Sequence, residues 1–322
     1  EAWKTRLEGF SGTLHLPSDL TSSGASGQGA ELRFSLDATA TGTARQAARA
    51  NGVSLFSVAL AALKLLLHRE TGQQDIIVGT PFANRGEEEA LLEVVGCFIN
   101  TLPITTDFSL LRTTGDLLAS VNRSMTDALE SQDVPFEMIV SATNVRREPG
   151  VNPLFQVGFV LQEPPAQLQL PGLSTTEIPV HSGGAMYDLH VWLWEAGAGI
   201  DGVIWYDTAR FSRQSIELLA GRYQEVLRNF PASPSVPLAR IALLPAEEDS
   251  QLRSWNETGL EYDREAVYSR QFESVAGERP ESVALSFGDE RLSYGELNGR
   301  ANRLARLLRS WGAGPGSRVG VC

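Results

Sequence analysis

Apolar and polar positions recur along the first 230 residues with both helical and strand-like spacing. ELRFSLD (31–37) alternates as a strand does. LFSVALAALKLLL (55–67) is apolar on all sides apart from Lys64, which predicts a buried helix. Apolar residues spaced three and four apart predict amphipathic helices at 113–130 and 212–230.

Between these segments the pattern predicts further strands and helices. Strands are expected at 75–85 and 154–162, and 187–211 has the pattern of a hairpin with a glycine-rich turn. Helices are expected at 38–51 and 54–69. Because strands and helices are interleaved, the fold class we predict is α/β, in the sense of an α+β layered domain.

One apolar run ends in polar residues. VVGCFINTLPI (94–104) predicts a buried strand, yet Asn100 and Thr101 lie near its end, where a buried amide needs hydrogen-bond partners. The simplest interpretation is that they bind loop backbone. By the same reasoning Asp133 is a turn residue before Val-Pro, and Asn152, before Pro153, is extended or in a turn.

The composition changes after residue 230. PASPSVP (231–237) and the polar segment 242–259 precede a second unit that starts near Tyr268. Its roughly 55 residues are too few for an independent core of this type, so we expect a truncated domain.

This second unit has clear local signals. Gly288-Asp289 predicts a hairpin turn, and Ser293 with Glu296 has the spacing of a capping box. The helix that follows should bury one stripe, which consists of Leu297, Ala301, Leu304 and Leu308.

Charge and composition narrow the function classes. The net charge of −12 and the lack of a Lys/Arg run argue against nucleic acid and anionic membrane as partners. The run 55–67 is shorter than the roughly 20 residues of a membrane span. Cys97 and Cys322 cannot form a disulfide framework, which favours a cytoplasmic protein. Glu1 and Cys322 look like cut ends, so an excerpt of a longer chain is expected.

Common catalytic and metal-binding patterns are missing from the sequence. It contains no G-x-S-x-G, P-loop or G-x-G-x-x-G motif. None of the histidines, at 15, 68, 181 and 190, has metal-ligand spacing, so no metal site is predicted. His68 should lie at a helix C-terminus, and His190 is expected to face water.

Four motifs, in order, resemble the condensation domain of nonribosomal peptide synthetases. They are VGTPFANR (78–85), VGCFINTL (95–102), QDVPFE (132–137) and Arg147 followed by NPLFQ (152–156). The resemblance covers residues 1 to about 245 and implies a chloramphenicol-acetyltransferase-like fold.

The second unit resembles the beginning of an adenylation domain. LSYGEL (292–297) precedes a helix with N-x-x-A-x-x-L spacing. We therefore predict a condensation lobe at 1–245, a linker at 246–266 and the start of an adenylation domain at 267–322.

One departure from the family pattern matters most. The family carries H-H-x-x-x-D-G in its N-terminal lobe, with the second histidine as the key catalytic residue, and this sequence has no such motif. We expect the C-terminal lobe without the histidine lobe. No catalytic residue is assigned within the chain, which alone should form no amide bond.

The resemblance assigns supporting roles to several residues. Arg85 would pair with the aspartate of the missing motif, and Asn152 would lie at the active-site channel. Asn100 and Thr101 would stabilise a strand end at the seam between lobes, and Asp133 would organise the fold beside the channel. Gly183 and Gly184 would allow close backbone approach near the acceptor channel.

The resemblance also implies the partners. Upstream and downstream peptidyl carrier domains would deliver thioesters on phosphopantetheine arms, and an acceptor amine would attack the donor thioester. The missing condensation lobe and the rest of the adenylation domain are further partners. ATP and Mg would serve the complete adenylation domain and would not be bound by this chain.

Three alternatives stay open at this point. The chain could come from an epimerisation or cyclisation relative of the fold, although VGCFINT and NPLFQ favour condensation. It could be a non-catalytic scaffold or carrier-docking module, or a standalone acyltransferase that uses coenzyme A. The attached adenylation start argues against the last.

Overall fold

The structure is a computed structural model. It describes residues 1–20, 27–85, 93–143, 151–163, 170, 172–175, 180, 182–262, 264 and 266–321. Arg147, His181 and Cys322 therefore lie outside the described residues. Two compact units divide the chain, Glu1–Leu252 and Arg253–Cys322.

The first unit combines a six-stranded sheet with helices, as the sequence pattern predicts. Its strands are β1 (Gly29–Leu36), β2 (Asp75–Phe82), β3 (Asn100–Asp107), β4 (Val157–Gln162), β5 (Leu189–Ala196) and β6 (Gly199–Asp207). Its helices are α1 (Ala2–Leu7), α2 (Ala38–Asn51), α3 (Leu55–Thr71), α4 (Thr114–Leu129), α5 (Phe136–Ala142) and α6 (Arg213–Arg228), with a 3₁₀ turn at Leu238–Arg240.

The sheet is mixed, with strand order β1-β6-β5-β4-β2-β3. β4 runs parallel to both β2 and β5, and the other neighbours are antiparallel. The predicted hairpin is confirmed as β5 and β6, in which His190 is the partner of Trp205.

Strand β5 divides its side chains between the two faces of the sheet. Leu189, Val191 and Leu193 belong to the hydrophobic core that includes the buried residues of α2, α3, α4 and α6. Because successive side chains of a strand point to opposite faces, His190 and Trp192 lie on the other face. We call this second face the open face.

Local signals explain where the helices begin. The side chain of Asp37 accepts a hydrogen bond from Ala40 N, and that of Ser54 accepts one from Ser57 N, at the starts of α2 and α3. These are N-cap bonds that satisfy backbone donors left free at a helix terminus. The predicted helices at 38–51 and 54–69 are thus confirmed.

The apolar run 94–104 is not one buried strand. Strand β3 begins only at Asn100, and the preceding residues are largely exposed, with Val95 at 100%. The apolar run predicted Asn100 and Thr101 near the C-terminal end of a strand. This is wrong, because they are the first two residues of β3. An apolar, β-branched run does not by itself show whether other elements pack against it, so its burial cannot be predicted from the run alone.

Lys64 lies at the centre of the buried helix α3 and is itself fully buried. Its Nζ donates to Ile104 O at 2.7 Å and to Thr106 Oγ1 at 2.9 Å, both on β3. Burial lowers the pKa of Lys64 well below its usual 10.5. The amine thus joins the helix to the sheet by hydrogen bonds.

Helix α7 (Ala246–Trp255) contains the boundary between the units. Its first half is bound to the first unit, because Arg222 of α6 donates to Glu248 and, at 2.6 Å, to Glu70 of α3. The hydrogen bond to Glu248, followed by that to Glu70, raises the pKa of the Arg222 guanidinium. The linker proposed at 246–266 stays a prediction.

The second unit comprises α8 (Tyr268–Glu278), β7 (Val283–Phe287), β8 (Glu290–Ser293) and α9 (Tyr294–Ser310). The predicted hairpin and the Ser293–Glu296 capping box are confirmed. The predicted buried stripe of α9 is wrong, because this helix has no buried residue and Leu304 is exposed. Two helices and a two-stranded sheet do not cover its apolar side.

Within the described ranges, no single helix is long and apolar enough to cross a membrane. Helices α2 and α3, which meet at 108°, pass that test only as a bent pair, on length and composition.

The buried amine of Lys64 predicts a pH-dependent stability. Because its pKa is lower in the folded chain, the unfolded chain binds more protons below pH 10.5, so stability falls as the pH falls from there. Near pH 10, we expect the free energy of unfolding of Lys64→Met to lie within about 1.5 kcal/mol of the wild-type value. Near pH 7, we expect the variant to be more stable relative to the wild type than it is near pH 10. Chemical denaturation at both pH values measures this.

Lys4→Met, at an exposed lysine of α1, is the matched control and should show no such gain. A stability difference between Lys64→Met and the wild type that is the same at both pH values would contradict the prediction.

Candidate functional site

Arg85 shapes the segment that precedes β3. Its guanidinium donates to Val94 O at 2.8 Å and to Gly96 O at 3.3 Å, and it lies 4.5 Å from the ring centre of Phe98. Backbone carbonyls and an aromatic face both suit a planar cation. The ion pair expected between Arg85 and an aspartate of the other lobe stays a prediction.

Asn100 joins the start of β3 to the turn before α5. Its Nδ2 donates to Gln132 O at 2.7 Å and to Val134 O at 2.8 Å, and its Oδ1 accepts from Phe136 N at 3.1 Å. These three bonds explain how an amide that is 9% exposed is tolerated. The residue satisfies loop backbone, and its place at a seam between lobes stays a prediction.

A pocket of about 440 Å³, which we call pocket A, opens between the segment before β3 and the start of α5. Asn100, Thr101 and Asp133 line it together, and the Asp133 side chain is exposed at its edge. Phe98, Ile99, Cys97, Asn84, Pro135, Phe136, Glu137 and Tyr187 complete the lining. The structure thus brings three of the predicted site residues to one pocket.

Thr101 contacts a residue that sequence analysis did not select. Its side chain hydrogen-bonds the phenol of Tyr187, whose pKa is raised by burial against the opposing effect of this bond. Tyr187 lines pocket A and also a second pocket on the open face.

Asn152 holds the chain next to Tyr187. Its Nδ2 donates to Met186 O at 2.7 Å, and its own carbonyl accepts from Gln156 Nε2 at 2.7 Å. Leu154, two residues on, has a φ of 70°, an unusual backbone conformation for a residue with a side chain. Asn152 therefore fixes the approach to β5, and its predicted place in a channel remains untested.

Gly183 and Gly184 lie beside the start of β1. Gly183 has a φ of 79°, and its carbonyl accepts from Gly29 N at 2.8 Å. The residue that must be glycine for steric reasons is Gly29, because an added Cβ there would lie 2.5 Å from Gly184 O. Gly184 also lines the second pocket, and the predicted acceptor channel stays a prediction.

The second pocket, pocket B, has a volume of about 500 Å³ and aromatic walls. Tyr187, His190, Trp192 and Trp205 contribute the rings, and Val180, Ser182, Gly184, Ala185 and Met186 complete the lining. His190 is only 8% exposed, so the expectation that it faces water is wrong. Rings from neighbouring positions cover it, which the alternation of one strand does not reveal.

A chain of ring contacts joins the two pockets. Phe136 lies 5.3 Å from Phe155, Phe155 lies 5.4 Å from Tyr187, and Tyr187 lies 5.1 Å from His190, measured between ring centres. Tyr187 therefore lies at the junction of the two pockets, because it lines both.

The role of Asn100 predicts a large loss of stability on substitution. Asn100→Ala removes three hydrogen bonds and leaves their part-buried backbone partners unpaired, which should cost about 2–4 kcal/mol in the free energy of unfolding. Asn100→Asp keeps only an acceptor, so it should not restore the two bonds to carbonyl groups.

Chemical denaturation measures the loss, and hydrogen exchange of the Phe136 amide reports it locally. Asn229→Ala, at an exposed asparagine that binds Glu225 within its own helix turn, is the control and should cost under about 0.5 kcal/mol. An Asn100→Ala variant as stable as this control would contradict the assignment.

Comparison with known proteins places this geometry in a family. The family model described as a condensation domain matches residues 1–253, and that of an AMP-binding enzyme matches 272–322. The chain is 36% identical to malpinin synthetase of Mortierella alpina over 325 residues, which cover 100% of this chain and 4% of the relative. It is 34% identical to tyrocidine synthase 2 of Brevibacillus parabrevis over 326 residues, covering 99% and 9%.

The fold has a close structural counterpart. The crystal structure of holo-AB3403, a four-domain nonribosomal peptide synthetase bound to AMP and glycine, superposes with a TM-score of 0.81 at 24% identity. The match covers 99% of this chain and 25% of that one. This likeness confirms the predicted α/β fold.

The chain spans only 4% and 9% of the length of these two curated relatives. Within that span, the family model covers the whole first unit, including both pockets. The chain belongs to the condensation-domain family of nonribosomal peptide synthetases, and its condensation region is followed by the start of an AMP-binding domain.

Proposed function

We propose that the first unit is the C-terminal lobe of a condensation domain and forms one wall of its reaction channel. The observation that carries this proposal is the surface around Tyr187, which lines both pocket A and pocket B. A second lobe, which bears the H-H-x-x-x-D-G motif, would close this surface into a channel.

The reaction is amide bond formation between two carrier-bound substrates. The acceptor amine attacks the carbonyl carbon of the donor thioester, a C–N bond forms, and the C–S bond breaks. The donor arm leaves as a thiol, which takes up the proton that the amine loses. Holding both reactants in place supplies much of such catalysis.

The residues of this chain would position rather than react. Arg85 would extend from the residues that follow β2 toward the motif aspartate of the other lobe, and Asn100 would fix the turn that forms one side of pocket A. Thr101 and Asn152 would hold Tyr187 and Met186 at the junction of the pockets, while Asp133 and Gly184 lie at the pocket edges. The acceptor would enter by way of Gly183 and Gly184.

The partners follow from this assignment. Upstream and downstream peptidyl carrier domains would bring their phosphopantetheine arms to the channel, in the cytoplasm. The completed adenylation domain would use ATP and Mg to activate the acceptor amino acid. Among the described residues no group of three or more His, Cys, Asp or Glu side chains could hold a metal ion, so no step through Mg is derived for this chain.

Restoring the histidine lobe tests the proposed function. We expect the chain alone to form no product, and the chain joined to a lobe carrying H-H-x-x-x-D-G to form an aminoacyl-aminoacyl carrier. Intact mass of the acceptor carrier measures it. Product from the chain alone, or no product from the joined protein with loaded carriers, would contradict the proposal.

Arg85 provides a sharper test in the joined protein. Arg85→Ala should lower the rate of amide formation about tenfold or more, with little change in the unfolding temperature, because a misaligned lobe misplaces the reactants. Arg85→Lys should recover only part of the rate, since an ammonium group cannot bind a carboxylate in bidentate fashion.

Arg213→Ala is the matched control, because Arg213 pairs with Glu217 on an exposed helix surface. It should keep the full rate. If Arg85→Ala formed the amide as fast as this control, the proposed role of Arg85 in the channel would be contradicted.

A further inference from the structure

Pocket B contains two buried polar atoms that the fold leaves unpaired. His190 Nε2 and Trp192 Nε1 find no hydrogen-bond partner among the described residues. Buried polar groups are nearly always paired, so an unpaired one calls for an explanation such as an absent ligand or water. Both residues line the same pocket.

The His190 ring is held in one place. At Gly158, on the neighbouring strand β4, an added Cβ would lie 2.6 Å from His190 Cδ2 and 2.9 Å from its Nε2, so only glycine leaves room for the ring. Trp192 and Trp205 lie 5.2 Å and 5.8 Å from it, ring centre to ring centre. Packed rings thus form the walls of the pocket.

The pocket is uncharged at neutral pH. Its described lining residues include no Asp, Glu, Lys or Arg. Burial lowers the pKa of His190 to about 4, so its ring is neutral. The carboxylate of Glu31, on β1, already accepts from Trp205 Nε1 at 3.3 Å. A charged ligand would lose its hydration here without gaining a partner.

We propose that pocket B selects the acceptor substrate by binding an uncharged aromatic side chain, with His190, Trp192 and Trp205 as the specificity-determining residues. Offset and edge-to-face contacts between rings favour an aromatic ligand over an aliphatic one of similar size. This inference rests on the proposed function, which places the acceptor beside Gly183 and Gly184.

Calorimetric binding to the 322-residue chain tests the inference without requiring turnover. The probes are pantetheine amides of phenylalanine, tyrosine, alanine and glutamate. We expect the two aromatic probes to bind at least tenfold more tightly than the other two. Equal affinities for all four probes would overturn the inference.

Two variants on one strand sharpen the test. Trp192→Ala should abolish the aromatic preference, whereas Trp194→Ala, two positions along β5 and outside the pocket lining, should keep it. If Trp192→Ala fails to fold, Ala185→Phe fills the pocket from its edge without removing a buried ring, and it should abolish the preference in the same way. A preference that survives in both pocket variants would overturn the inference.

The inference and the proposed function can fail separately. If the joined two-lobe protein forms amide bonds while the chain shows no aromatic preference, pocket B is not the selector and the proposed function stands. If the preference is present and depends on Trp192 while the joined protein forms no amide bond, the pocket assignment stands and the proposed reaction falls.

Discussion

The alternation of side chains along β5 is the constraint on which the rest of the first unit depends. Leu189, Val191 and Leu193 enter the core shared with the helices, and this forces His190 and Trp192 onto the open face. A register slip of one residue would exchange the two sets and bury the polar side of the strand among aliphatic groups. The site is therefore fixed by the same pattern that fixes the core.

Tyr187 links the two pockets because several independent contacts hold it. Its phenol binds Thr101 on β3, its ring contacts Phe155 and His190, and the preceding residue, Met186, is bound through its carbonyl by Asn152. Residues from separate motifs thus converge on one side chain. This convergence gives a physical reason for the polar residues that interrupt apolar sequence at these positions.

Sequence analysis predicted the helices and strands of the first unit well, since their caps and periodicities are local. It also selected Asn100, Thr101 and Asp133, which meet in pocket A. It missed Tyr187 and misplaced His190, because the rings that cover them come from neighbouring strands and loops whose pairing one strand does not encode. The predictions that residues 94–99 and one side of α9 are buried were wrong for the same reason, because tertiary partners decide which residues are buried.

Cys97, an exposed thiol that lines pocket A, allows the most direct test of the account. The protein joined to its histidine-bearing lobe, with Cys322→Ser, would be treated with a carrier domain whose pantetheine arm ends in a chloroacetamide. Peptide mass mapping would give the rate at which Cys97 displaces chloride. We expect alkylation at least tenfold faster than by free chloroacetamide at equal concentration, because the channel delivers the arm to pocket A. Equal rates would contradict it.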